Sequence, residues 1–491
     1  PPYFLTPSLR PALSRPFLDD PPAFFVAIIY LIYLLANLVS TFLTSNLLSA
    51  DFLIGFNSLS ASDIILPSFE KILLILIFFS LVSSTQLKIE ISKGSESLPK
   101  IAIVPFKSSF ASSIGDNLSS LVESNLTLFG EFDKLSKLEM LSFPHSEENF
   151  YYRDWKVLEV DYAVIGNLLI SDANDLVINY FVIDIALNKI LLKGDISGKN
   201  SDLEQISKII SNRVYKSITG LKGVFNTKLA YILNPIKDSY MIYISDIDGS
   251  DEKLLFKSSS PLMSPSWSSD RKKLAYVSFE KGYPEIFIQN LTSGKRSYIK
   301  TLGMSNSAPV WSPNSKYISF VMSMSGNPDI YLYNLRNKKI SRLTTHYGID
   351  TEPAWSPDSK KLLFTSNRSG SPQIYELTIS SGRIKRITLD GDYNARARYF
   401  PNGKDIVLVH GNNGIFHIAT KNLKKRFINP ISKTALDESP TISPNGNIII
   451  YATKKDNQGF LAGSTINGRS KFTLPVKEGS VREPAWSPLL N

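Results

Sequence analysis

One position of this chain recurs with residues able to do ionic or acid–base work. It lies three places before a six-fold repeated anchor and is filled by Ser264, Ala308, Glu352, Arg396, Ser439 and Glu483. Asp350, Arg398, Asp437, Glu438 and Arg482 are its neighbours, and His346 precedes Asp350 by four places. Carboxylates and a guanidinium converging on one spot could cleave a glycan, or could bind a polar partner without turning it over. Cleavage needs a paired acid and base or a metal, and no such set stands out. His346, His410 and His417 lack metal-ligand spacing, and His145 sits in a polar stretch as a surface histidine. The chain has no cysteine, which excludes a thiolate nucleophile, a cysteine zinc site and a cysteine-held iron–sulfur cluster. There is no G-x-S-x-G nucleophile elbow, and Gly115-Asp116 alone is no phosphate loop. No catalytic, metal or cofactor site is therefore expected.

The elements that position these residues follow from the anchors. Trp267, Trp311, Trp355, Tyr399, Ile442 and Trp486 are spaced by 44, 44, 44, 43 and 44 residues. Three are followed by Ser-Pro-Asp or Ser-Pro-Asn and the others by variants of it, a turn in which proline fixes φ and the Asp or Asn accepts from nearby amides. A short apolar strand follows each full anchor, as in 273–279 (KLAYVSF) and 316–322 (KYISFVM), then a second, as in 285–291 and 329–335. Ser293-Gly294, Ser381-Gly382 and Asn467-Gly468 then supply hairpin turns. Four short antiparallel strands per period describe a blade of a β-propeller.

The ends of the repeat are complementary. Trp486 begins a blade with no chain left to finish it, while Lys228–Leu233, Tyr240–Ser245 and Lys253–Phe256 lack a first strand. Joined, they make a sixth blade and close the ring, which removes free edges. A β-solenoid of the same period would not need such ends. The anchors are expected to wedge between blades, and the loops at one channel end to form the binding surface.

Residues 99–222 read as a small α/β domain. Leu98–Phe106, Asp161–Ile170 and Leu176–Ile185 are strands, and Lys189–Lys193 is a further short one. Asp116–Phe129 is a helix with Leu118, Leu121, Val122 and Leu126 on one side. A second helix follows Ser201 and Glu204, spaced as a capping box, and stops at Gly220. The fold class is an α+β N-terminal domain followed by a six-bladed β-propeller over 223–491, closed by N- and C-terminal strands.

Residues 1–69 form an atypical leader. Phe24 to Leu43 is largely apolar, and as a helix would span roughly 30 Å, a bilayer core. Residues 70–84 read as a secretory signal: Lys71, a short apolar run, then Ser83, Ser84 and Thr85. A signal should open a chain, so either the leader is spurious or 24–43 is a genuine membrane tether. The net charge is +10, from 54 basic and 44 acidic residues. The basic residues are scattered along the sequence without an arginine-rich run, so no nucleic-acid partner is expected.

Three stretches resemble the TolB family of the Tol–Pal system: 100–106 (KIAIVPF), 161–170 (DYAVIGNLLI) and the junction 217–232 (SITGLKGVFNTKLAYI). The resemblance covers residues 86–491 and includes the W-S-P-D/N anchors. It implies a non-enzymatic periplasmic scaffold, exported by a signal peptide and without a cofactor. It further implies binding of the peptidoglycan-associated lipoprotein through channel-end loops, here holding His346, Glu352, Arg396, Glu438 and Glu483. Residues 85–98 resemble the family's mobile N-terminal box, which engages TolA; Leu87, Ile89 and Ile91 alternate there as an added edge strand requires. The implied role is outer-membrane integrity and envelope constriction at division, with other outer-membrane or peptidoglycan-linked proteins as further partners. Tyr399 and Ile442 depart from the tryptophan pattern. Two alternatives stay open: a glycan-binding or glycan-cleaving propeller enzyme, and a membrane-anchored sensor resting on 24–43.

Overall fold

The computed structural model describes residues 97–490 apart from 110–111, 171–174, 302–304, 325, 435, 456–457 and 475–478. The apolar segment 24–43, the signal-like segment 70–84, and Leu87, Ile89 and Ile91 lie outside the described residues.

The α/β domain is built on strands β1 (Lys100–Ile103), β2 (Lys107–Ser108), β3 (Asp133–Lys134), β4 (Tyr162–Ile170), β5 (Asp175–Asp184) and β6 (Lys189–Lys199). Their order is β3-β1-β4-β5-β6, with β2 pairing β4. β1 runs parallel to β3 and β4, and β4 to β6 form an antiparallel meander. Strand alternation turns Leu176, Ile178, Tyr180 and Val182 toward one face, where helices α1 (Ser112–Thr127) and α3 (Leu203–Thr219) bury them. The other face carries Ala102, Val104, Ala163 and Ile165 under Phe150 and Trp155 of the segment around short helix α2 (Tyr152–Val157). Gly115 lets α1 approach the segment between β1 and β2, because a Cβ there would lie 2.0 Å from the carbonyl oxygen of Phe106.

The expected capping box on α3 does not form. A 3-10 turn, Asn200–Asp202, precedes the helix and moves Ser201 off the cap position, so its hydroxyl donates to Asp202 instead. Glu204 pairs with Lys208 at 2.7 Å. A capping box does occur at Ser136 and Glu139, on another 3-10 turn. Gly220 ends α3 as expected, with φ 76° and its amide bonded to Lys216.

From Lys228 to Trp486 the described residues form six four-stranded antiparallel sheets. Blades one to five begin with innermost strands Leu262–Trp267, Ser305–Trp311, Asp350–Trp355, Tyr393–Tyr399 and Glu438–Ile442. The innermost strand of blade six is Ser480–Trp486. It pairs with Lys228–Asn234 so that Val481 faces Leu233 and Trp486 faces Leu229. Tyr240–Asp246 and Lys253–Ser258 complete that blade. The ring is thus closed by the two ends of the propeller sequence. Its core lies between blades: Ala275, Val277 and Ile286 of the first meet Ile318, Phe320 and Met322 of the second around Trp311.

The α/β domain shares a core with blades five and six. Phe129 lies 6.3 Å from Phe225, 5.5 Å from Phe472 and 6.0 Å from Trp486, ring to ring. α3 reaches both blades from one face. Its Lys208 donates to Asp246 of blade six at 2.7 Å. Two turns later, Tyr215 donates to Glu131 at 3.1 Å, and Glu131 also accepts from Asn447 of blade five. The domain therefore docks on the propeller end where the anchors lie. We call this the anchor end, and the opposite one the mouth.

Candidate functional site

Every innermost strand carries the same irregularity. Between Met263 and Ser266 it advances three residues while its partner advances two, from Val277 to Ala275. The other five strands repeat this bulge at the equivalent place. The extra residue takes a left-handed conformation, with φ of 53° at Ser264, 47° at Ala308, 56° at Glu352, 52° at Arg396, 53° at Ser439 and 52° at Glu483. None is glycine, so each costs about 1–2 kcal/mol of backbone strain that the closed ring must hold in place. A bulge re-aims a side chain. Here all six line a central cavity of about 510 Å³, together with Arg398 and the anchor-end turns.

This placement corrects the expectation of channel-end loops. Glu352, Arg396, Glu438 and Glu483 belong to strands, and three of the four are bulge residues inside the channel. Only His346 is on a loop, where its Nδ1 accepts from the Gly348 amide at 2.9 Å and its ring lies against Tyr347. Asp350 and Asp437 are both engaged within the chain. Asp350 is fully buried and takes two bonds from Arg368, at 2.8 and 2.7 Å, while Asp437 accepts from Ser432 and Thr434. Both carboxylates pin loops at the mouth.

The channel charges are satisfied internally. Arg396 Nε lies 2.8 Å from Glu352 Oε1, and Glu352 Oε2 accepts from the Arg396 amide at 3.0 Å and from Thr365 at 2.8 Å. Arg396 also donates to Ser439, and Glu483 accepts from the Ser264 amide. Burial disfavours the charge on Arg396, but Glu352, Glu483 and Glu438 outweigh it and hold the guanidinium above its ordinary pKa. Burial, with Arg396 adding to it, holds Arg398 below; its Nη1 donates to the Pro353 carbonyl at 3.2 Å. Both glutamates accept a backbone amide of the following blade. Among the described residues no group of three His, Asp or Glu gathers for a metal.

The anchors reach the blade before their own. Trp267 Nε1 donates to the Ala485 carbonyl at 2.8 Å and Trp355 Nε1 to that of Val310 at 3.2 Å. Tyr399 keeps this reach with a different atom, donating to Glu376 of blade three at 2.7 Å. Trp486 Nε1 donates to Thr227 at 2.8 Å, and Trp311 is buried in the cluster between blades one and two. Ile442 packs half-buried between blades four and five.

Sequence reasoning missed the mouth itself. Ile236, Tyr283, Met324, Leu389, Ile415 and Leu436 are exposed apolar residues, and Tyr347 is 84% exposed. All lie on the mouth side of their blades, in loops or turns except Ile415, which opens strand Ile415–Asn422, as the strand directions require. Each looks like an isolated apolar residue in a polar turn. Only the common period shows that they share one end.

A closed propeller fused to an α/β domain, with a polar channel and an exposed apolar mouth, is a binding architecture. Two family models match the chain: the TolB beta propeller domain over residues 215–490 and the TolB amino-terminal domain over 87–191. The chain is 48% identical over 430 residues to the Tol-Pal system protein TolB of Pseudomonas syringae pv. syringae, covering 86% of this chain and 99% of that protein. It is 46% identical over 407 residues to that of Pseudomonas aeruginosa, covering 82% and 94%. The crystal structure of TolB from Acinetobacter baumannii superposes with a TM-score of 0.76 at 37% identity, covering 82% of this chain and 100% of that one. The chain belongs to the TolB family. It is a non-enzymatic periplasmic scaffold, and its partners are those of the Tol–Pal system.

Proposed function

We propose that the mouth of the propeller docks the peptidoglycan-associated lipoprotein. The observation that carries this reading is the set of exposed apolar side chains shared by several blades at the end left free by the α/β domain. Apolar anchors around a polar centre suit a protein partner better than a small substrate. His346 and Glu438 stand at the mouth and contact the partner. Glu352, Arg396 and Glu483 lie deeper along their strands and set the shape of the channel beneath it. Residues 85–98 engage TolA, with Leu87, Ile89 and Ile91 as the pairing side, and 70–84 serve as the export signal. In this role the protein links the outer-membrane lipoprotein to the inner-membrane protein TolA and sustains envelope integrity and constriction.

Calorimetric titration with the soluble lipoprotein domain tests the proposal. Tyr347→Ala and Leu389→Ser should each weaken a one-to-one complex by about tenfold or more, as central interface truncations do. Unchanged affinity in both variants would remove the mouth from consideration. For the second partner, Ile89→Asp with Ile91→Asp should abolish capture of TolA while leaving lipoprotein affinity intact.

A further inference from the structure

The basic residues that look scattered in sequence are gathered by blade topology. Antiparallel pairing puts two turns of every blade at the anchor end: first strand to second, and third to fourth. In blade two the outer of these holds Arg336, Lys338 and Lys339, and in blade four Lys424, Lys425 and Arg426, all exposed. Lys295 and Arg383 hold the same place in blades one and three. The inner turns of blades one to four repeat one lysine: Lys272, Lys316, Lys360 and Lys404. The ion pairs of these blades among the described residues use other cations, namely Arg296, Arg342, Lys361, Arg368 and Arg396. The acids at this end of these blades are Asp270 and Asp358, each engaged by a serine and an amide of its own turn, and Asp405, held by Asn402 and Asn422.

Blade six reverses the pattern. Its outer turn carries Asp248, Asp251 and Glu252, and this acidic side takes Lys208 of the α/β domain. The fifth blade is likewise occupied, through Asn447 and Ser470. The basic turns thus form an arc where the anchor end is open, and the acidic turn lies where it is covered. Exposed Lys216 and Lys222 continue the arc onto the end of α3 and the connector.

We propose that this arc binds an extended acidic polypeptide segment of a periplasmic partner, at a surface separate from the mouth. A flexible chain can follow an arc beside a docked domain, whereas a planar bilayer would meet that domain first. Lysines on long stems suit carboxylates at irregular spacing, since each is a mobile point charge. Phe427, exposed beside Lys424–Arg426 with Lys425 Nζ 5.6 Å from its ring, adds an apolar foothold.

Fluorescence anisotropy of the full chain with a labelled glutamate-rich peptide tests this. Saturable binding that weakens steeply with salt is expected. Reversing Arg336, Lys338 and Lys339 to Glu, and separately Lys424, Lys425 and Arg426, should each weaken it by about tenfold. Tyr347→Ala should not, and the reversal variants should keep their affinity for the lipoprotein domain. Replacement by Gln at the same positions supplies a milder series should a reversal variant misfold. Equal peptide affinity in the wild type and both variants would overturn the proposal. So would tighter binding to phosphatidylglycerol vesicles than to the peptide, lost in the same variants, which would assign the arc to a lipid surface.

Discussion

Arg396 and Glu352 occupy the same place in successive repeats, 44 residues apart, and there form an ion pair at 2.8 Å. The ring converts a sequence period into a spatial contact, so equivalent positions of adjacent blades touch. A double-mutant cycle should report this coupling. Glu352→Gln leaves a channel guanidinium without its counter-charge and should cost about 2 kcal/mol in denaturant unfolding. Adding Arg396→Met should recover part of that loss, with a coupling of about 1–3 kcal/mol. Strict additivity would show that the pair contributes nothing beyond its separate hydrogen bonds.

Glu131 gives the joint between domains a pH dependence. Burial raises its pKa from 4.5 to about 7, against the lowering by hydrogen bonds from Tyr215 and Asn447. A raised carboxyl opposes folding when ionised. Its contribution is therefore most favourable below pH 4.5 and declines as pH rises toward 7, by about 3 kcal/mol at most. Glu131→Gln should raise the melting temperature at pH 8 and leave it nearly unchanged at pH 4.5. Parallel pH profiles for the wild type and the variant would refute this.

The buried anchors and the exposed mouth residues should separate cleanly in stability. Trp355→Ala empties a site between blades two and three and should cost about 3–5 kcal/mol. Tyr347→Ala, at an exposed position, should stay within about 0.5 kcal/mol. Thermal unfolding of both variants decides the matter, and equal shifts would contradict the packing described.

Closure depends on Val481, which is buried and paired opposite Leu233. Val481→Asp places an unpaired carboxylate in the seam and should cost several kcal/mol, of order 3 or more. Protease sensitivity should then appear first in blade six. Digestion beginning elsewhere in the propeller would show that the seam is not its weakest closure.

Much of this was legible from residues alone. The period, the strands of each blade and the complementary ends follow from spacing, because a blade cannot bury its faces by itself. The bulges were not legible. A positive φ at Glu352 or Arg396 has no residue-type signature, so a bulged strand before Pro-x-Trp or its equivalents reads as a loop. β6 extends to Lys199 where only Lys189–Lys193 reads as a strand, since the polar, glycine-containing second half resembles a turn. Ser201 shows that a capping motif can be displaced by one 3-10 turn. The mouth and the basic arc were hidden for a common reason: both are assembled from turns of several repeats that lie far apart in sequence.

The seam between strand 480–486 and strand 228–234 also has a meaning in time. The two partners lie at opposite ends of the propeller sequence, so the first-made strands wait for the last. A chain exported from its N-terminal side can form five blades and still be an open arc. Completion of the propeller sequence and completion of the ring are then the same event, and a chain cut short before strand 480–486 carries an unpaired edge that quality-control proteases can read.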